Sequence, residues 1–262
     1  MTKKALLVVS FGTSYDSTRE KTIDKLEEEL SAAFPERQLY RAWTSKMIIK
    51  KIERRDNIKI NTVSEAMAQM ADNGITDVLI QPTHILSGVE NDLMTSDALS
   101  WQNKFAKITF GDPLLMYTDD FISVVHSIGQ EFSNLGPEEA LVLMGHGTTH
   151  QTNSVYAALD YIFKAEDYPH IFVGTVEGYP SFEVLLKMLK KSPYKKITLA
   201  PFMIVAGDHA TNDMASKEDD SWYSLLVKEG YEVNCVLKGL GEYPSIRATF
   251  IKHAEAALSD NK

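Results

Sequence analysis

The residues best suited to chemistry stand where short apolar segments end. His146 lies between two glycines, directly after the apolar segment "LVLMG". Glu177 follows the segment "IFVGTV", and His209 follows "ITLAPF" after a short polar loop. If these segments are parallel strands of one sheet, their carboxyl ends share the edge at which such sheets bind ligands. The sequence therefore predicts two imidazoles and one carboxylate at one edge.

This set of side chains points to a divalent metal. Two imidazoles and a carboxylate, with no cysteine, suit cobalt, nickel, zinc or ferrous iron, and they leave coordination positions open for water or substrate. His146 is also a candidate base, because an imidazole titrates near neutral pH. His150 has the i,i+4 spacing of a helical metal pair with His146, but Gly147 disfavours a helix there, so His209 is the preferred partner. A metal or tetrapyrrole carrier with the same ligands stays an alternative to a catalyst.

Three other kinds of site fit the sequence less well. A histidine phosphatase needs an arginine directly before its histidine, and that position is Gly145. A dinucleotide site needs Gly-x-Gly-x-x-Gly, of which "GHGTTH" has the first two glycines alone. A Gly-x-Ser-x-Gly elbow is not found at a predicted strand end. These patterns disfavour phosphoryl transfer, nucleotide cofactors and serine hydrolysis.

Apolar runs alternate with amphipathic segments along the whole chain, which is typical of parallel βα units. A helix is predicted to open with the capping box Ser17 to Glu20 and to stop by Pro35. Another has apolar residues at helical spacing from Val63 to Met70 and is ended by Asn73-Gly74. We predict eight strands, at "ALLVVSF", "QLYRAW", "DVLIQP", "KITFGD", "ALVLMG", "HIFVGTV", "KITLAPF" and "YEVNCVL".

The two halves of the chain resemble each other. "ALLVVSFGTSYDST" aligns with "ALVLMGHGTTHQTN", and "IQPTHILSGVENDLM" aligns with "LAPFMIVAGDHATNDM", so that Pro82 falls on Pro201. We infer an internal duplication that gives two similar α/β domains, residues 1–135 and 136–262, with the C-terminal helix free to pack across the boundary.

The alignment also shows where the halves differ. Phe11 takes the place of His146, and Glu90 takes the place of His209. Two copies of a scaffold that build one shared, asymmetric site would diverge in this way. Glu90 is therefore a candidate catalytic residue, although an acid at the start of a helix also stabilises the helix dipole.

The composition and charge of the chain indicate which classes of binding partner to expect. The 262 residues carry a net charge of −9, and they include one cysteine, Cys235. We expect no nucleic-acid partner, since no basic footprint stands out, and no membrane span, since the apolar runs are short. The start of the chain lacks a cleavage signal and passes into a helix, so we expect a cytoplasmic protein. The sequence leaves open whether the protein forms a homo-oligomer.

Five motifs together resemble the anaerobic cobaltochelatases that act on sirohydrochlorin, ATP-independent class II chelatases related in fold to ferrochelatase. The resemblance extends over essentially the whole chain. The motifs are "VVSFGTSYDSTRE", "IQPTHILSGVENDLM", "LMGHGTTHQTNSVYAALD", "VGTVEGYPS" and "LAPFMIVAGDHATNDMA".

The resemblance implies two α/β domains, each with a four-stranded parallel sheet flanked by helices, and a macrocycle held between them. It implies metal ligation by His146, Glu177 and His209, and a role in activity for Glu90. The implied reaction is Co²⁺ insertion into sirohydrochlorin during cobalamin synthesis, with no permanently bound cofactor. Because related chelatases handle iron or nickel with similar ligands, a chelatase for Fe²⁺ or Ni²⁺ is the alternative.

Substrate contacts are predicted at both strand-end loops. The backbone of Ser10, Phe11, Gly12 and Thr13 is expected to contribute, as an alternative to a plain tight turn. Gly145 and Gly147 would let a flat ring approach closely. Met203 is a candidate apolar contact to the ring. Since sirohydrochlorin is expected to be rich in carboxylates, local basic groups must face it, and the sequence does not identify them.

Overall fold

The computed structural model describes residues 2–259, which form two compact units. The first unit comprises the chain up to Met116 together with the segment from Gly241 onward, and the second is Tyr117–Leu240. Each unit contains one four-stranded parallel sheet flanked by helices, which confirms the predicted fold class. Within residues 2–259, no helix is both long and apolar enough to cross a bilayer.

All eight predicted strands are present, and the two sheets have the same strand order. The first sheet has the order β2-β1-β3-β4 and the second β6-β5-β7-β8. The strands are β1 (Lys4–Ser10), β2 (Gln38–Trp43), β3 (Asp77–Pro82), β4 (Lys107–Phe110), β5 (Glu139–Gly145), β6 (Ile171–Thr175), β7 (Lys196–Phe202) and β8 (Glu232–Cys235).

The register agrees with the sequence repeat residue by residue. Val9 of β1 pairs with Pro82 of β3, and the equivalent Met144 of β5 pairs with Pro201 of β7. Strands β1 and β5 lie inside their sheets and are covered on both faces, which explains their unbroken apolar runs.

Helices connect the strands, and a π-helical turn (Ala210–Met214) follows β7. The helices are α1 (Asp16–Lys21), α2 (Ile23–Ala33), α3 (Lys46–Asp56), α4 (Val63–Asp72), α5 (Val89–Leu99), α6 (Thr118–Glu131), α7 (Ser154–Ala165), α8 (Phe182–Leu189), α9 (Trp222–Lys228) and α10 (Pro244–Ser259).

One helix start differs from its prediction. The first helix begins at Asp16 after an extended Tyr15, so Ser17 lies inside it and the predicted capping box is wrong. A true capping box starts α4, where Thr62 and Glu65 satisfy each other's backbone N–H groups. The predicted ends near Pro35 and after Met70 are confirmed, because α2 stops at Ala33 and α4 at Asp72.

The units do not divide at residue 135. Helix α6 belongs to the second unit, and the C-terminal segment that contains α10 belongs to the first. Helix α10 packs on the first sheet and on α2, where Nε of Arg247 donates to Glu29 at 2.9 Å. His253 of the same helix is buried, with Nδ1 3.2 Å from the carbonyl oxygen of Asp112. The chain thus returns to its first unit after completing the second.

Candidate metal centre

The structure brings His146, Glu177 and His209 together. Each offers one ligand atom, and these atoms lie within 4.8 Å of one another. The imidazole rings have centroids 4.6 Å apart and an interplanar angle of 87°, so they meet edge to face. The three residues follow β5, β6 and β7, which are neighbours in the sheet, and this explains why their strand ends converge.

Backbone contacts fix the ring of His146. Its Nδ1 atom lies 2.9 Å from the carbonyl oxygen of Gly147. Because a carbonyl oxygen can only accept, Nδ1 carries the proton in the neutral ring and Nε2 keeps its lone pair. The site therefore presents Nε2 of His146 to a metal ion.

A carboxylate holds the second imidazole in the same tautomer. Nδ1 of His209 hydrogen-bonds Oδ2 of Asp213, which lies four residues later in the π-helical turn. Histidine ligands commonly donate their other nitrogen to a carboxylate or carbonyl, which orients the ring and raises its basicity. Asp213 was missed in the sequence, although its i+4 spacing from His209 was a usable signal.

The glycines around His146 pack against protein. A Cβ atom on Gly145 would lie 2.3 Å from Cε1 of Tyr156. Gly147 has a φ of +85°, and a Cβ atom there would lie 2.6 Å from the backbone nitrogen of Gly178. The predicted close approach of a flat ring to these glycines stays a prediction, and on their Cβ sides the space is filled by protein. These glycines bring the two ligand-bearing loops together.

Backbone hydrogen bonds join those loops. The N–H of Val176 donates to Gly145 at 3.0 Å, and the N–H of Glu177 donates to the carbonyl of His146 at 2.8 Å. The main chain thus ties the glutamate to the first histidine directly, before any metal binds.

Asn153 strengthens the same connection. Its Oδ1 accepts from the backbone N–H of Thr148 at 3.1 Å, and its Nδ2 donates to the carbonyl of Tyr179 at 2.8 Å. His150 caps the adjacent turn by accepting from the N–H of Thr152, which agrees with the preference for His209 as the metal partner. Neither Asn153 nor the contact at Gly178 had a distinctive sequence signal.

The equivalent loop of the first unit is mostly internal. The hydroxyl of Ser10 accepts from Thr83 at 2.9 Å, and a Cβ atom on Gly12 would lie 2.5 Å from Trp43. Ser10, Gly12 and Thr13 are buried, whereas Phe11 is 46% exposed. Among Ser10, Phe11, Gly12 and Thr13, Phe11 is therefore the residue whose side chain is exposed.

The backbone of this loop is polarised. Its carbonyl groups accept hydrogen bonds from Thr44, Ser45 and Arg55. Within residues 2–259, the N–H groups of residues 11–14 donate no hydrogen bond. Gly12 in this loop has a φ of +98°, and backbone N–H groups without partners attract negative charge when they point in one direction.

Glu90 lies in the first turn of α5, and the buried His84 lies nearby in the same unit. Burial lowers the pKa of His84, and the Glu90 carboxylate opposes that change. Among the described residues, no hydrogen bond of good geometry reaches either ring nitrogen of His84, although the Asn91 side chain lies close enough to oppose the lowering of the His84 pKa as Glu90 does. The imidazole of His84 is thus buried within the first unit.

Met203 is partly buried and packs against the apolar core of the second unit. Its carbonyl accepts from the N–H of Leu240 at 2.7 Å. Part of the Met203 side chain is thus buried in the core. Its contact with a tetrapyrrole ring stays a prediction, and it would have to use the exposed part of the side chain.

The fold of the two units is that of known chelatases. A solved structure that shares it is the sirohydrochlorin chelatase SirB from Bacillus subtilis subspecies spizizenii in complex with cobalt. The TM-score is 0.65 at 11% identity, over 99% of this chain and 97% of that one.

The sequence defines the family more closely. Residues 4–259 match the family described as cobalt chelatase (CbiK), and the chain belongs to that family. The sirohydrochlorin cobaltochelatase of Salmonella typhimurium is 42% identical over 98% of this chain and 97% of its own length. The sirohydrochlorin cobaltochelatase CbiKC of Nitratidesulfovibrio vulgaris is 32% identical over 99% of this chain and 92% of its own length.

Proposed function

We propose that the protein inserts Co²⁺ into sirohydrochlorin as a step of cobalamin synthesis. The observation that carries the proposal is the convergence of His146, Glu177 and His209, whose ligand atoms lie within 4.8 Å of one another. Two imidazoles and one carboxylate suit cobalt and leave coordination positions for the ring nitrogens. Membership of the cobalt chelatase family supports the same reaction.

The metal ion enters the ring as two pyrrole protons leave, so charge is balanced without a nucleotide or a redox cofactor. His146 and His209 would hold the ion through Nε2, since Nδ1 of each ring is already hydrogen-bonded. His146 is also the proposed base for a departing proton. Because only Nε2 is available, ligation and proton transfer at His146 must follow one another. We therefore infer that the ion passes from this imidazole to the ring before the imidazole accepts the proton.

Glu177 is proposed as the ligand that releases the metal ion first during its transfer to the ring. Its side chain is 60% exposed, and Oε2 lies 4.0 Å from Nδ1 of His146. Glu90, in the first unit, is proposed to assist proton transfer or to orient the ring. The free amides of residues 11–14 and the exposed Phe11 are proposed to contact the substrate. Distortion of the ring toward its metallated shape would favour the transition state.

A metallation assay tests the proposal. Purified protein, sirohydrochlorin and Co²⁺ are mixed without ATP, and the absorbance of the macrocycle is followed. We expect many turnovers per protein, above the uncatalysed rate. Uptake of one equivalent with no turnover would instead identify a carrier, and faster insertion of Fe²⁺ or Ni²⁺ would reassign the metal. Cytoplasmic location and the absence of a permanent cofactor remain parts of the proposal.

A further inference from the structure

Helix α3 concentrates positive charge in a chain whose net charge is −9. Its sequence, "KMIIKKIERRD", carries five basic residues. The expectation that no basic footprint stands out is therefore wrong for this helix. The charge of the whole chain concealed a local excess of the opposite sign.

Four of the five basic residues, all except Lys46, share one side of the helix. Met47, Lys50, Lys51, Arg54 and Arg55 follow the i, i+3, i+4, i+7, i+8 spacing of a single helical face, and they line a shallow, open depression of about 430 Å³. We call these five residues the basic face. Ile49 and Ile52 are buried on the other side, so core packing fixes the direction of the face.

Most of these charges are uncompensated. Arg55 pairs with Asp16 and Asp56. Lys50, Lys51 and Arg54 form no ion pair with any residue in the described range 2–259. Positions 50 and 54, like 51 and 55, place equal charges at i,i+4, which destabilises an isolated helix. An anion from outside the chain would relieve this repulsion.

The basic face adjoins the loop whose amides have no partner. The N–H of Ser45, at the start of α3, donates to the carbonyl of Phe11 at 3.2 Å. At the other end of the helix, Arg55 donates to the carbonyl of Ser14. Both features belong to the first unit, and these two hydrogen bonds hold α3 against the loop.

We infer that the basic face binds the peripheral carboxylates of the tetrapyrrole, with Lys50, Lys51 and Arg54 as the direct partners. This inference rests on the proposed function and deepens it by naming the groups that recognise the substrate. Met47 is 76% exposed amid these cations, and it offers an apolar contact to a ring that carries charge at its rim. A helix of 11 residues is roughly 16 Å long, which suits a compact polycarboxylate. A long polyanion would extend over a surface that is acidic overall.

Charge-neutral variants test the inference in the full-length protein. The test variant is Lys50→Gln, Lys51→Gln, Arg54→Gln. The matched control is Lys187→Gln, Lys191→Gln, Lys195→Gln, which removes the same charge from exposed positions of the second unit. We expect the test variant to raise the KM for sirohydrochlorin at least tenfold, with kcat within twofold of wild type. Added salt should weaken wild-type binding far more than binding by the test variant.

A binding assay separates this inference from the proposed reaction. Fluorescence titration with uroporphyrin, which carries peripheral carboxylates, should show tenfold weaker binding to the test variant than to the control. The methyl ester of uroporphyrin should bind both equally. The wild-type protein could fail to insert metal while uroporphyrin binding still differed between the test and control variants. That result would contradict the proposed function and would still support carboxylate binding by the basic face. Equal KM and equal uroporphyrin binding in test and control variants would overturn the inference. It would equally be overturned if the substitutions abolished binding to anionic vesicles or DNA and left tetrapyrrole binding unchanged.

Discussion

Oδ2 of Asp213 lies 2.5 Å from Nδ1 of His209, within a π-helical turn that follows the third strand of the second sheet. A π-helical turn changes which side chains share a face, and such turns are frequent at functional sites. The carboxylate of Asp213 therefore orients the imidazole of His209 through a hydrogen bond to Nδ1. The π-helical turn thus places Asp213 where it can bind Nδ1 of His209 and leave Nε2 for the proposed metal ligation.

Replacing Asp213 should weaken metal binding while leaving the fold intact. In Asp213→Asn, the amide can present its NH₂ group to Nδ1 and favour the wrong tautomer. We expect the affinity for Co²⁺ to fall about 10- to 100-fold, as measured by calorimetric titration. Asp220→Asn removes the same charge from an exposed position and should bind as wild type does. An affinity of Asp213→Asn within twofold of wild type would show that the carboxylate is dispensable.

The contact between Gly147 and Gly178 leads to a second prediction. Alanine at residue 147 would have to adopt a φ of +85° and would approach the backbone of Gly178. We expect Gly147→Ala to lose about 1–3 kcal/mol of stability, and to bind Co²⁺ at least ~10-fold more weakly because the two ligand loops separate.

Thermal unfolding and calorimetric titration check both parts of this prediction. Gly136→Ala serves as the control, since a Cβ atom at Gly136 meets nothing within 4 Å. Equal stability and equal Co²⁺ affinity of the two alanine variants would show that the close approach of the loops does not contribute to metal binding.

The fold was predictable because its strongest signal is periodic and local. Alternating apolar and amphipathic segments located all eight strands, and the repeat aligned Pro82 with Pro201, which occupy equivalent positions in the two sheets. The observed division differs from residue 135 because α6 belongs to the second unit, whereas the C-terminal helix joins the first unit, a possibility that the prediction left open. The packing of α10 against the first sheet depends on contacts distant in sequence, and no local pattern reports these.

The candidate site was predictable only in part, for a similar reason. Ligand residues at strand ends follow from strand order, so His146 and Glu177 could be placed together. The close approach of Gly147 to Gly178 depends on loop conformation, which composition does not encode. The five basic residues of "KMIIKKIERRD" are a sequence signal for the basic face. The negative net charge of the whole chain hides this local excess of positive charge.

Removal of either imidazole should abolish most activity. We expect His146→Ala and His209→Ala each to lower kcat for Co²⁺ insertion by about 100-fold or more, with circular dichroism unchanged. Because the two rings act on one ion, the double variant should be little worse than either single variant. His126→Ala, at an exposed histidine of α6, should retain activity. Near-normal turnover in both single variants, or losses that multiply in the double variant, would contradict a shared site.

The buried His84 should make the protein sensitive to mild acid. Burial lowers its pKa in the folded state, with the Glu90 carboxylate in opposition, whereas in the unfolded chain it titrates near 6.5. Below about pH 6.5 the unfolded state therefore binds more protons, and stability that is fully present above this pH is lost as the pH falls. The slope from one such group is at most about 1.4 kcal/mol per pH unit. In His84→Gln this component is absent, so urea midpoints measured from pH 7.5 to 5 should fall less steeply than in wild type. Parallel curves for the two proteins would show that His84 charges as readily in the folded state as in the unfolded one.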